Sequence, residues 1–525
     1  MKYVIIVILF LLLATSSFGQ NQNISAGVVF DGEPYLSINP HNSQHMVVAW
    51  MGYVPLNHIA IKTKLSFDGG KTWSNANMIS HTNPLYSSAD PSLEFDNSGN
   101  VFLSYIDYNA SLDSGSVYVR KSADGGLSWD SPVEVINAHS DEGKYPIDRP
   151  WIAIDRSGGP NDGNIYITTM PPKVFGPLLP PYNPYFMISS NDGSSFSTWV
   201  YLDTINWLAG NTIGQPMPTN CVSSDGVFHA VYPSYLISQS FYGQFIIAST
   251  DDAGNSFTYN SVFTSTTSVS DSLAKKGYLL RSNPADADHL AFFYLDVTYG
   301  DIDIFMRESF DKGINWSGAT RINDDPIGND RMQDLLWADF DLDGDIIASW
   351  RDRRNGTNTS YTTGSEIWGA VRCKDSTNFS SNFRISDTIV AYDTILAYAG
   401  NDFMCIKLVN DTLSTVWGDT RNGKLNIWFQ QMTTDGSVLS VRKLSSETVP
   451  VVNIFPNPFI SNLTIEGINI QQVTIYNQSG KIVSAHINSQ KNDRWKIDLS
   501  TLVNGIYFFQ ITTKQGVVTK TIVKE

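Results

Sequence analysis

The side chains in this chain that could do chemistry are acids and arginines placed just ahead of prolines or just behind aromatics. Glu33 stands before Pro34, Asp90 before Pro91, Asp148-Arg149 before Pro150, and Gln215 before Pro216. A second set follows the ends of apolar runs: Trp50, Tyr105-Ile106-Asp107, Tyr294-Leu295-Asp296, Trp350-Arg351-Asp352-Arg353-Arg354 and Trp417-Gly418-Asp419-Thr420-Arg421. Paired carboxyl groups suit glycosidic cleavage, in which one acid is protonated and another ionised, and aromatic faces stack on sugar rings. Arginine adds a planar fork that holds a carboxylate through two parallel hydrogen bonds. Asp148, Arg149, Asp90 and Glu33 form the expected catalytic set. Arg331, Arg351, Arg353, Arg421, Asp107 and Trp50 form the expected substrate-binding set. Asp148-Arg149-Pro150-Trp151 occurs once and is the most distinctive of these motifs.

Two of these motifs also have a structural reading. Asp352-Arg353-Arg354-Asn355-Gly356 and its echo Asp419-Thr420-Arg421-Asn422-Gly423 read as hairpin turns in which the aspartate caps and Asn-Gly supplies positive φ. Asp339-Phe340-Asp341-Leu342-Asp343-Gly344-Asp345 resembles a calcium loop, with Asp339, Asp341 and Asp343 as ligands in a structural role. Its twelfth position is Trp350 rather than a bidentate Glu, and Asp341 aligns with Asp96 of the turn Asp96-Asn97-Ser98-Gly99-Asn100. A charged hairpin is the competing expectation.

The elements that must position these residues are written in a repeat. Ser66-Phe67-Asp68-Gly69-Gly70-Lys71-Thr72-Trp73 returns as Ser122-Ala123-Asp124-Gly125-Gly126-Leu127-Ser128-Trp129 and as Ser309-Phe310-Asp311-Lys312-Gly313-Ile314-Asn315-Trp316. Looser copies start at Ser189 and Thr250, and degenerate ones at 372, ending on Phe379, and 432, ending on Leu439. Aspartate with a glycine two residues later makes a tight turn, and the closing aromatic can pack between sheets. Around each box the grammar is strand, turn, strand, loop, strand, box, short strand. Seven such units predict an all-β, seven-bladed β-propeller, with six blades as the alternative.

On these boxes the chain resembles the Asp-box (BNR repeat) proteins of the sialidase superfamily over residues 27 to 446. The resemblance implies boxes as structural staples on the face opposite the active site, and a sialidase-like activity on carbohydrate. It carries over no nucleophile. No Arg-Ile-Pro occurs, and the equivalent positions read Glu33-Pro34-Tyr35 and Asp90-Pro91-Ser92. A glycan or glycoprotein is the partner expected, in one of two roles: a secreted glycoside hydrolase of exo-sialidase type, or a non-catalytic carbohydrate- or protein-binding adhesion propeller.

The ends of the chain speak to export. Lys2 precedes an apolar run from Tyr3 to Leu13, and Ser17 and Gly19 offer a cleavage point, so residues 1–19 read as a signal peptide. No other stretch approaches the twenty or so apolar residues of a membrane span. After Pro450 the composition turns basic, with seven Lys or Arg against four Asp or Glu. Pro456-Asn457-Pro458, Ile475-Tyr476-Asn477-Gln478-Ser479-Gly480-Lys481, Gly505-Ile506-Tyr507 and the closing Lys520 to Lys524 make residues 451–525 look like the type A sorting domain of type IX secretion cargo, a β-sandwich. That resemblance implies the type IX machinery as a partner, and a location outside the cell or at the outer-membrane surface.

The remaining composition excludes other classes. A net charge of −16 without a basic tract argues against nucleic acid, which needs clustered Lys and Arg to neutralise phosphates. There is no P-loop, dinucleotide fingerprint, zinc spacing or nucleophile elbow, so no cofactor is expected. Cys221, Cys373 and Cys405 are an odd number and read as buried free thiols.

Overall fold

Each repeat folds as four antiparallel strands, because its apolar runs are short, buried on both faces in the inner strands, and separated by turn-forming Gly, Asn and Asp. The computed structural model describes residues 21–54, 59–111, 113–172, 180–265, 277–392 and 401–438, and, toward the end of the chain, 452–467, 469–478, 481–483, 486–491, 494–513 and 516–525. The chain divides into two units, residues 1–439 and 440–525. The expected signal peptide, and Leu439 at the end of the last box, lie outside the described residues.

In the first unit the described residues form seven four-stranded sheets and no helix. Their innermost strands are Asp31–Asn39, Tyr86–Phe95, Asp148–Ile154, Thr219–Val222, Tyr278–Asn283, Gln333–Phe340 and Cys405–Val409. Each packs against the innermost strand of the next sheet, and Cys405–Val409 returns to Asp31–Asn39, closing a ring. This is a β-propeller. The seventh sheet takes its outermost strand from the start of the described chain, where Gln22 pairs with Phe429 and Asn23 with Trp428. The ring therefore begins ahead of residue 27. Between the sheets the core is apolar, with Trp50, Trp350, Trp417, Tyr105, Phe102 and Phe292 almost fully buried.

The boxes do mechanical work. Ser66 Oγ accepts the Gly70 N–H at 2.7 Å and donates to Asp68, whose carboxylate accepts the Thr72 N–H at 2.8 Å and hydroxyl at 2.6 Å. The same closed network recurs at Ser122/Asp124/Gly126/Ser128, at Thr250/Asp252/Gly254/Ser256 and at Ser309/Asp311/Gly313/Asn315. Burial works against the Asp68 charge, yet the donors from Thr72 and Ser66 hold its carboxyl below the usual range. The fifth box residue has φ between 77° and 100° in the first five boxes, and the space over it belongs to the preceding sheet. A Cβ on Gly126 would sit 2.6 Å from Leu65, and one on Gly254 would sit 2.4 Å from Phe186. The closing aromatics follow suit: Trp73 packs edge-on to Phe429 at 5.2 Å, and Phe257 to Phe186 at 5.2 Å. Each box thus locks its own sheet to the one before.

Two expectations about the first unit change. Cys221 and Cys405 are buried free thiols, but Cys373 is exposed, because it follows the strand Glu366–Arg372 rather than lying within it. The degenerate box at 372 lacks the opening serine; Arg372 occupies that place and instead binds Glu308 of the preceding sheet at 2.7 Å.

The second unit consists of a four-stranded and a three-stranded sheet around Trp495, Phe459, Phe509, Ile465, Ile497 and Ile511. Asn457 of the Pro-Asn-Pro motif accepts the Val523 N–H at 2.8 Å, tying the motif to the final strand. Lys524 is buried, with its ammonium donating to the carbonyls of Leu499, Ser500 and Leu502 at 2.7, 3.1 and 2.7 Å. The closing lysine is a clamp inside this unit.

Candidate active site at the mouth of the propeller

In an up-and-down sheet, the loop ahead of the first strand and the loop after the second share one face, and the boxes, between third and fourth strands, take the other. The first face is the mouth. Three innermost strands begin there with the same irregularity: Glu33, Asp90 and Arg149 have φ of 54°, 52° and 48°, each precedes a proline, and each lies inside a register shift of its ladder. Leu335, at 56°, repeats the shift in the sixth sheet without a proline. A non-glycine residue in the left-handed region costs about 1–3 kcal/mol and persists only where its surroundings enforce it. Two positions after three of these bulges stand Tyr35, Trp151 and Trp337, whose rings meet one another.

Those aromatics close the channel. Tyr35 lies 6.0 Å from Trp151 and 5.6 Å from Trp337, and Phe403 lies 5.2 Å from Trp151. Above this plug sit Glu33, Asp90, Asp148, Arg149 and Asp402. Arg149 donates to Asp402 at 2.8 Å, the Arg149 N–H points to Asp90 at 3.4 Å, the Asp402 N–H points to Glu33 at 3.4 Å, and Gln215 donates to Asp148 at 3.0 Å. The Asp90 carboxyl faces those of Glu33 and Asp148, close enough for its charge to act on both. Burial, then the charge of Asp90, lifts both Glu33 and Asp148 well above the ordinary carboxyl range. Burial and the nearby acids also push the Tyr108 hydroxyl up to about 12, so it stays neutral beside them.

The expected substrate-binding residues do not join this cluster. Arg351 grips Asp334 with two bonds of 2.7 and 2.6 Å, and Arg353 grips the same carboxylate at 3.1 and 3.2 Å. Tyr361 adds a bond of 2.9 Å, and its ring lies under the Arg353 guanidinium. Burial opposes the Asp334 charge, but the two arginines hold its carboxyl far below the usual range. Asp334 thus engages both guanidinium groups from within the chain. Arg421 binds Asp419 and Asp387, and Arg331 donates to the carbonyls of Gly356 and Asn358. Asp107 is fully buried and accepts from His81, Thr82 and Ser88. Trp50 is fully buried and donates to Asp31 at 2.7 Å, so it offers no face to a sugar.

The repeated Asp-x-Arg-Asn-Gly motifs are staples. Trp350 donates to Asp352 at 2.7 Å, Asp352 accepts from the Arg354 N–H and side chain, and Arg354 stacks 4.2 Å over Trp368. Trp417, Asp419, Arg421 and Trp428 repeat the arrangement. Gly423 has φ of 79°, as expected, whereas Gly356 is not left-handed. The loop proposed for calcium points its acids apart. Asp339 lies 3.8 Å from Lys407, Asp341 accepts the Asn410 and Asp411 N–H groups, and Asp343 lies 3.3 Å from Lys374. Among the described residues, no three His, Cys, Asp or Glu side chains converge as a metal donor set.

Sequence reasoning missed Asp402 and Asp334. No proline marks Asp402, and Asp334 was hidden because Leu335-Leu336-Trp337 replaces the charged-residue–proline signature. The spacing of two residues to an aromatic, shared with Glu33-Pro34-Tyr35 and Arg149-Pro150-Trp151, was the available signal for the sixth sheet.

Comparison with known proteins places the second unit. Residues 453–525 match the family described as "Secretion system C-terminal sorting domain". The tail is a type IX sorting domain. It directs the protein to the cell surface or beyond, and no helix among the described residues is long and apolar enough to cross a membrane. No curated protein matches the chain. Among solved structures, a protein of unknown function from Dyadobacter fermentans is 15% identical, with 67% of this chain and 98% of that one covered, at a TM-score of 0.41. The GH93 α-L-arabinofuranosidase of Fusarium graminearum, solved with arabinobiose, is 13% identical over 80% of this chain and 98% of its own, at 0.43. The NanB sialidase of Streptococcus pneumoniae is 13% identical over 80% and 71%, at 0.41.

Proposed function

We propose that the first unit processes carbohydrate outside the cell, with the carboxyl cluster at its mouth as the reacting centre. The observation that carries this reading is the convergence of Glu33, Asp90 and Asp148 from three successive sheets beside Arg149. Glycoside cleavage uses one carboxyl that keeps its proton and one that gives it up. Glu33 and Asp148, both lifted well above the ordinary carboxyl range, suit the group that keeps its proton, and Asp90, which faces both and the Arg149 N–H, suits the group that gives its proton up. Both face Asp90 from neighbouring sheets, the clustering of carboxyl groups that glycoside cleavage uses. The exo-sialidase form of the reading draws less support, since the arginines that would hold a sialic acid carboxylate are engaged by Asp334, Asp387 and Asp419.

The test is hydrolysis of a panel of neutral, aminated and acidic oligosaccharides by the purified chain, followed by product chromatography. Glu33→Gln and Asp148→Asn should each lower turnover at least about 100-fold while leaving binding measurable. Binding without any cleavage by the unmodified chain would assign the mouth to a non-catalytic adhesion role.

A further inference from the structure

If the mouth handles glycans, on the reading proposed above, its charge decides which ones. Four carboxyl groups, Glu33, Asp90, Asp148 and Asp402, meet the single guanidinium of Arg149. Arg149 already donates to Asp402 at 2.8 Å and lies 3.4 Å from the Met217 sulfur. Among the described residues, neutral hydroxyls also face the cluster: Tyr108, and Tyr278, which donates to the Met217 carbonyl at 2.9 Å. Asp107, nearby, is saturated by His81, Thr82 and Ser88.

A second observation points to a donor arriving from outside. Glu33 is 3% exposed, its carboxyl group faces those of Asp90 and Asp402, and its Oε2 receives no hydrogen bond from any donor group among the described residues. A buried carboxylate oxygen without a donor is costly, so it takes either a proton or a donor from a ligand. A sugar carboxylate brings neither and adds repulsion. An ammonium group brings three N–H donors and the positive charge the cluster lacks.

We infer that the mouth selects glycan units bearing a free amine, such as a deacetylated hexosamine, over neutral units and against carboxylate-bearing ones. The ammonium takes the place of the protons that Glu33 and Asp148 hold, and those protons pass to solvent as the complex forms. Binding therefore tightens as pH rises, up to the pH at which the amine itself loses its charge. Asp402 and Arg149 remain paired throughout, and Tyr108 and Tyr278 stay neutral.

Titration calorimetry on the full chain with three probes decides the matter: a glucosamine tetramer, its N-acetylated counterpart and sialyllactose. Each is run in two buffers of different ionisation enthalpy so that proton release is counted. The tetramer should bind about tenfold or more tighter than the acetylated form, with net proton release, and sialyllactose should bind weakest. Asp90→Asn should reduce the preference for the amine to about threefold or less; Asp402→Asn, on the more exposed rim, is the second variant should the first fail to fold. Equal or tighter binding of the acetylated or sialylated probe overturns the inference and leaves the glycan reading standing. Failure of all three probes with folded protein removes the glycan reading and the inference together.

Discussion

Two buried side chains away from the mouth titrate in opposite senses. Burial pushes the Asp203 carboxyl up to about 6, although Asn183 and the Ala209 N–H both donate to it. Burial pushes His229 down to about 4. The raised acid contributes stability that is complete below about pH 4 and is lost as pH climbs through 6. The lowered histidine contributes stability that is present above its ordinary range and is lost as pH falls toward 4. Asp203→Asn should therefore raise the melting temperature at pH 7, by an amount corresponding to at most about 3 kcal/mol, and leave it nearly unchanged at pH 4. Thermal unfolding of both proteins across that range checks this; a variant less stable at pH 7 would mean the Ala209 hydrogen bond matters more than the buried charge. Asp334→Asn should cost about 3–5 kcal/mol in denaturant unfolding, since it leaves Arg351 and Arg353 buried with half their partner. At this scale the types of the mouth residues were legible in the sequence and their partners were not. Arg351 and Asp334 are read alike whether they face a ligand or each other, because the pairing depends on a register shift that no local pattern reports.

The boxes were legible for the opposite reason. Their hydrogen bonds close within eight residues, so the sequence contains every partner. What it does not contain is the neighbour above the glycine, and that neighbour supplies a controlled comparison. Gly254 and Gly163 share φ of 83°, but a Cβ on Gly254 would lie 2.4 Å from Phe186, while one on Gly163 would meet nothing within 4 Å. Gly163→Ala should cost about 1–2 kcal/mol from backbone strain alone. Gly254→Ala should cost about 1–3 kcal/mol more, because Phe186 and the sheet carrying it must move. Equal losses in chemical denaturation would show that the box is a local turn without a role between sheets. The charged-residue–proline bulges sit between these cases. Their positions could be read from Pro34, Pro91 and Pro150, but their left-handed backbone could not, since a residue ahead of proline ordinarily prefers extended conformations.

For the molecule as a whole, repeat spacing carried the architecture: seven boxes correspond to seven four-stranded sheets among the described residues. The closing strand escaped notice because it is two residues long and pairs with a segment at the far end of the unit. Asn21 anchors it, donating to Gln430 at 2.7 Å and to the Ile385 carbonyl at 3.2 Å, while Arg421 donates back to Asn21 at 3.0 Å. A chain lacking residues 21–25 should keep its boxes but melt earlier and more broadly, with hydrogen exchange rising first in Asn426–Thr433, the strand left without a partner. Unchanged exchange there would show that the closure is ornamental.

That clasp has a kinetic meaning. Asn23 and Trp428 meet across some four hundred intervening residues, an entropic hurdle of about 5 kcal/mol for a flexible chain. Assembly must therefore wait for the last repeat. Once fastened, the circle no longer offers extracellular proteases the edge of Asn426–Thr433 as a selvedge from which to start unravelling.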